Sequence, residues 1–97
     1  MNATIDGKGD RRPDDDGITM LGTTWCGDCV RSRAYLDARS IHYAFIDVDL
    51  DADALKRCAA LNGGIRKVPT ILLPSGEVLV EPSDADLGAA IDRLVSP

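Results

Sequence analysis

Cys26 and Cys29, with two residues between them in Trp25-Cys26-Gly27-Asp28-Cys29, are the side chains best suited to covalent chemistry in this chain. The thiolate, not the thiol, attacks disulfides. If the segment is helical, both sulfurs share a face, and Cys29 can resolve a mixed disulfide formed at Cys26. The same spacing is also half a zinc site, which would need two further ligands. The other candidates are Cys58 and His42. Cys58 keeps helical spacing with the apolar Leu55 and Ala59 and reads as a small core residue with no assigned role. His42 reads as a surface residue beside a strand. On those placements no metal is expected.

The elements that must position the motif follow from local pattern. An apolar run at residues 18–22 stops at Gly22-Thr23-Thr24, as a buried strand does on entering a loop. Over residues 27–39, Val30, Ala34 and Ala38 recur every four residues, and Cys29 and Leu36 stand seven apart, which predicts a helix. Cys26 then sits at a helix N-terminus, beside unsatisfied backbone N–H groups that favour a thiolate. Such placement lowers a cysteine pKa from about 8.5 to about 3.5–7.5. Asp28 opposes ionisation while Arg31, Arg33 and Lys67 support it, which predicts an intermediate value.

Residues 43–48 are β-rich, and the alternating Asp47, Asp49 and Asp51 can cap a second helix with Leu55, Cys58 and Ala59 on its apolar face. Asn62-Gly63-Gly64 ends that helix. Residues 70–73 and 77–80 form a hairpin around Pro74-Ser75-Gly76. Ser83, three residues before Asp86, opens a last helix with an apolar stripe of Leu87, Ala90, Ile91, Leu94 and Val95. The order is βαβαββα. A parallel first pair extended by an antiparallel hairpin gives an α/β fold, a mixed four-stranded sheet with helices on both faces, which is the minimal thioredoxin-like arrangement.

In Lys67-Val68-Pro69-Thr70, proline at a strand entrance removes a backbone donor and can take the cis form. Facing the cysteines, such a loop leaves the backbone of Val68 free to pair with an extended thiol peptide. Ser83 and Asp84 begin the final helix, whose N-terminus either holds a substrate carboxylate or is simply capped.

Composition narrows the setting. The 97 residues suit one domain, and 44% hydrophobic with 28% charged is a globular balance. Eleven basic against sixteen acidic residues leave −5, with no basic stripe, which argues against nucleic acid and anionic membrane as partners. No apolar run approaches the roughly 20 residues of a membrane span, and the first residues hold no signal-peptide block, so a cytoplasmic location is expected. Three cysteines, an odd number, fit free thiols in a reducing compartment better than a disulfide framework. Residues 1–17, rich in Gly and Asp, are expected to be a disordered tail before a domain at 18–97.

Taken together these motifs resemble the glutaredoxin family, and within it most closely the mycoredoxins of actinobacteria. The resemblance spans residues 18–95 and rests on Thr23-Thr24-Trp25-Cys26-Gly27-Asp28-Cys29, on the run from Asn62-Gly63-Gly64 through Ile65-Arg66-Lys67 to Val68-Pro69-Thr70, and on Glu81-Pro82-Ser83. It implies a thiol-disulfide oxidoreductase that reduces mixed disulfides between proteins and a low-molecular-weight thiol. Cys26 would be the nucleophile and Cys29 the second cysteine. Trp25, Lys67, Val68, Pro69, Ser83 and Asp84 would bind substrate. No bound cofactor is implied, only the small thiol as co-substrate, and a monomer suffices. Asp28 replaces the usual aromatic ring between the cysteines, and Lys67 stands where Thr often precedes Val-Pro. The Gly-Gly-x-x-Asp glutathione signature gives way to Pro82-Ser83-Asp84, which favours mycothiol over glutathione. Two alternatives remain open. One is a [2Fe–2S] carrier, since family members lacking Pro between the cysteines can hold a cluster across a dimer. The other is a thioredoxin-like dithiol reductase, although thioredoxins begin with an extra strand and helix that the polar residues 1–17 cannot supply.

Overall fold

A strand buried on both faces must find hydrogen-bonding partners at both edges and apolar cover above and below. Ile18–Gly22 (β1) does so: every residue in it is buried, and it forms the centre of the sheet. The structure, a computed structural model, describes residues 17–95. The expected N-terminal tail therefore lies outside the described residues except for Gly17. After β1 come Gly27–Ala38 (α1), Tyr43–Asp47 (β2), Ala52–Leu61 (α2), Thr70–Leu72 (β3), Val78–Val80 (β4) and Asp84–Val95 (α3). This is the βαβαββα order. The sheet runs β2-β1-β3-β4, with β1 and β2 parallel and the other pairs antiparallel.

The alternation of strand side chains divides the core in two. Ile18, Met20 and Ile71 pack with Leu36 of α1 and with Leu87, Ala90 and Ile91 of α3. Leu21 and Leu72 face the other way, against Ala54 and Cys58 of α2. On the first face Gly88 of α3 lies against Tyr35 of α1: a Cβ there would run into the hydroxyl at the far end of that side chain.

Local punctuation behaves as its chemistry requires. The Asp51 carboxylate accepts from the Ala54 N–H at 2.9 Å and caps α2, and Ser83 Oγ accepts from the Asp86 N–H at 3.1 Å and caps α3. Gly63 and Gly64 end α2 with φ of +71° and +95°, and the Gly64 N–H reaches the Ala59 carbonyl. In the hairpin, Gly76 takes φ +97° and closes the turn by donating to the Leu73 carbonyl at 2.9 Å.

The structure chooses the buried face of α1 and corrects the one expected for α2. The inward face of α1 is Cys29, Ser32 and Leu36, whereas Val30 is 54% exposed and Ala34 and Ala38 face solvent. Both sets keep helical spacing, so periodicity alone cannot choose between them. Contact with β1 and α3 selects the set that contains a polar serine. In α2 the buried pair is Ala54 and Cys58, with Leu55 at the surface. Two small residues one turn apart let the helix lie close over Leu21 and Leu72.

Candidate active site

Cys26 is the N-cap of α1, with extended backbone dihedrals of −75° and 128°. Its carbonyl accepts the Val30 N–H at 3.0 Å, and its own N–H donates to Thr23 Oγ1 at 3.3 Å. No side chain caps this helix, so the sulfur shares the helix mouth with unsatisfied N–H groups. The thiol is half-buried.

Across from it is the loop before β3. The Val68–Pro69 peptide bond is cis, as the sequence suggested, and Cys26 Sγ lies 3.9 Å from the Val68 carbonyl oxygen. The Pro69 carbonyl is taken by the Glu81 N–H at 2.8 Å. Among the described residues the Val68 N–H donates to nothing, so its backbone remains open beside the sulfur.

Cys29 is a different kind of thiol. It is wholly buried, seated over Gly22: a Cβ on Gly22 would lie 2.9 Å from Cys29 Sγ and 3.2 Å from the Phe45 ring. Burial pushes its pKa up to about 11, and the neighbouring Cys26 adds to the rise, while the Thr23 N–H, donating to Cys29 Sγ at 3.5 Å, pulls the other way. At neutral pH Cys29 is therefore protonated.

The two arginines of α1 are already engaged. Arg31, on the exposed side of α1, donates to Asp84 at 2.7 Å, to the Pro82 carbonyl at 3.2 Å and to Asp28 at 3.4 Å. Arg33 lies over the Phe45 ring, 3.9 Å from its centroid. Lys67 is exposed and its ammonium has no ion-pair partner among the described residues. Of the residues expected to bind substrate, the fold brings Val68 and Pro69 to Cys26. Ser83 is occupied as a helix cap and Asp84 by Arg31.

Trp25 is 65% exposed beside Cys26, with its indole N–H donating to Asp49 Oδ2 at 2.8 Å. The other oxygen of Asp49 takes Arg66 at 2.9 Å, and that guanidinium lies 5.7 Å from the Trp25 ring. Asp49 thus ties the turn before Cys26 to the loop before Val68. Sequence reasoning offered Asp49 only as a possible cap, and nothing in its spacing signals the tie. Gly22 was also missed as a site residue, although a glycine ending a buried strand just before a reactive motif is a usable sign of close approach. Among the described residues no three His, Cys, Asp or Glu side chains gather as a metal site.

A family model for glutaredoxin matches residues 18–78. Mycoredoxin 1 of Corynebacterium glutamicum is 34% identical over 77 residues, covering 79% of this chain and 95% of that one. A Mycobacterium tuberculosis protein with a provisional glutaredoxin name is 32% identical over 77 residues, covering 79% and 92%. Among solved structures, the Archaeoglobus fulgidus glutaredoxin superposes with a TM-score of 0.69 at 16% identity, covering 78% of this chain and 86% of that one, and it supports the fold.

Proposed function

The chain belongs to the glutaredoxin family of thiol-disulfide oxidoreductases, and we propose that Cys26 works by a monothiol route on mixed disulfides of mycothiol. The observation that carries this reading is the contrast within the motif. Cys26 is at the mouth of α1, 3.9 Å from the Val68 carbonyl, while Cys29 is sealed beneath it and held as a thiol.

In the first step the Cys26 thiolate attacks the small-thiol sulfur of a protein mixed disulfide. A new disulfide forms between Cys26 and the small thiol, the old one breaks, and the protein sulfur leaves as a thiolate that takes a proton from water. A second small thiol, as thiolate, then attacks the mycothiol sulfur on Cys26. This releases the symmetrical small-molecule disulfide and restores the Cys26 thiolate. One free small thiol is consumed per turn: its sulfur rises to the disulfide level as the protein sulfur falls to the thiol level, the adduct's sulfur stays in a disulfide throughout, and no prosthetic group takes part, consistent with how glutaredoxins use a low-molecular-weight thiol. Val68, held before the cis Pro69, presents open backbone to the incoming chain, Trp25 flanks the sulfur, and Lys67 supplies an unpaired cation.

Mycothiol is favoured over glutathione by two considerations. One is the 34% identity to a mycoredoxin. The other is the engagement of Asp84 by Arg31, which takes up the carboxylate at the start of α3 that could otherwise meet the ammonium of a γ-glutamyl thiol. One chain suffices for the cycle. No described helix is long and apolar enough to cross a membrane, and the dependence on a reductase-supplied small thiol fits the cytoplasm.

The test is turnover of a mycothiol mixed disulfide by Cys29→Ser, with free mycothiol and its reductase in excess, beside glutathione-coupled and thioredoxin-reductase-coupled assays. The expected result is retained activity with mycothiol. An inactive Cys29→Ser beside an active wild type would replace the monothiol route with the dithiol one. Stoichiometric iron and visible absorbance after anaerobic purification would favour the cluster carrier.

A further inference from the structure

Proline at position 69 has no N–H, and the Val68 N–H has no partner among the described residues. The β-ladder that holds β3 begins only at Thr70, which pairs with Leu21 on one side and Val80 on the other. The loop facing Cys26 therefore needs some other hold on its upstream side. The structure supplies one at the end of α2. The Lys67 carbonyl accepts from the Thr70 hydroxyl at 2.6 Å and from the Cys58 thiol at 3.2 Å. Thr70 Oγ1 in turn accepts from Asn62 Nδ2 at 3.1 Å, and the same amide donates to the Cys58 carbonyl at 2.8 Å. Cys58 and Thr70 are fully buried, so these bonds are made away from competing water.

We infer that Cys58, Asn62 and Thr70 are positioning residues for the glutaredoxin reaction: they pin the Lys67 carbonyl and so set where the Val68-Pro69 loop stands relative to Cys26. Lys67 and Val68 are consecutive, and their carbonyls meet cysteines from two different helices, Cys58 behind the loop and Cys26 in front. Rotating the Lys67 carbonyl off its two donors would swing the Val68 peptide with it. Displacements of about 1 Å at a substrate-orienting group are enough to change rates or binding substantially. The brace holds the substrate-facing backbone and leaves the sulfur itself alone, so its loss should weaken substrate binding more than it slows chemistry.

This inference rests on Cys26 as the nucleophile and on the loop as the substrate platform. The experiment compares wild type, Thr70→Val, Cys58→Ala and Cys58→Ser on a peptide mixed disulfide carrying the small thiol that supports wild-type turnover. Melting temperatures and the rate of Cys26 alkylation by iodoacetamide, located by peptide mass, are measured alongside. Thr70→Val keeps shape and loses the hydroxyl, Cys58→Ala loses a donor, and Cys58→Ser restores one. The expected result is a KM raised about three- to tenfold in Thr70→Val and Cys58→Ala, with kcat and alkylation within about twofold and KM substantially recovered in Cys58→Ser. If Cys58→Ala does not fold, Thr70→Val and the half-buried Asn62→Ala carry the same comparison. Wild-type KM in folded Thr70→Val would overturn the inference, as would a loss confined to kcat and alkylation rate. Activity persisting in Cys26→Ser would instead overturn the nucleophile assignment, so the two failures are distinguishable.

Discussion

The start of α1 and the end of α2 each bring a cysteine to the same loop, and they treat it in opposite ways. At the start of α1 the free groups are N–H donors, the N-cap is Cys26 itself, and the sulfur is left half-buried against the Val68 carbonyl. At the end of α2 the free groups are carbonyls. There Asn62 folds back to satisfy the Cys58 carbonyl, and the Cys58 thiol is sealed against Lys67 and Thr70. The same side chain is thus poised for reaction at one helix end and used as a hydrogen-bond donor at the other. Helix polarity and solvent access separate the two uses, because the terminal N–H groups favour negative charge and the terminal carbonyls do not.

The strongest way to break this comparison is to remove the reactive sulfur. Cys26→Ser is expected to reduce mixed-disulfide turnover to the uncatalysed rate, read in a reductase-coupled assay, since a serine hydroxyl is not appreciably ionised near neutral pH and cannot form a disulfide. Persistent turnover would transfer the chemistry to another residue.

Next in size is the seat of Cys29. Gly22→Ala places a methyl group 2.9 Å from Sγ of the fully buried Cys29 and 3.2 Å from the partly buried Phe45 ring. The expected cost is about 1–3 kcal/mol of stability, an overpacking effect. Chemical denaturation would show it as a lower midpoint at unchanged slope. A variant as stable as wild type would mean that the Cys29 side chain can be displaced freely.

The pH dependence of the reduced protein sharpens the contrast between poised and sealed sulfurs. The Cys29 pKa is raised to about 11 in the fold, above that of an unfolded cysteine, so the native state holds a proton that the unfolded chain gives up first. Its contribution to stability is therefore complete below the unfolded pKa near about 8.5, and it is lost as pH rises through about 11. Thermal melts of wild type between pH 8 and 11 should fall more steeply than those of Cys29→Ser. Parallel curves would remove burial as the factor controlling this thiol.

The smallest expected effect lies at the surface tie. Asp49→Ala frees both Trp25 and Arg66, and an exposed ion pair of this kind contributes less than about 1 kcal/mol. Stability should barely change, while the emission of the single tryptophan should shift as its indole loses the carboxylate. An unaltered spectrum would argue that Trp25 is not held there in solution.

The order of elements, the caps at Asp51 and Ser83, the helix stop at Gly63 and Gly64, and the placement of Cys26 at a helix start were all legible in the chain. Each is a short-range effect, decided by residues within about four positions through backbone geometry and local hydrogen bonds. The cis bond before Pro69 was also anticipated, from proline chemistry next to a reactive motif. Tertiary structure alone decided which stripe of α1 turns inward, because Val30-Ala34-Ala38 and Cys29-Ser32-Leu36 are equally helical and only the opposing surface of β1 and α3 chooses. It alone sealed Cys29, since the space it fills exists because Gly22, seven positions earlier and on another element, has no side chain. It alone gave Asp49 two partners, 24 and 17 residues away, and drew Cys58, Asn62 and Thr70 around one carbonyl. Burial and long-range hydrogen bonding depend on what the rest of the chain places opposite a residue, and no local pattern encodes that.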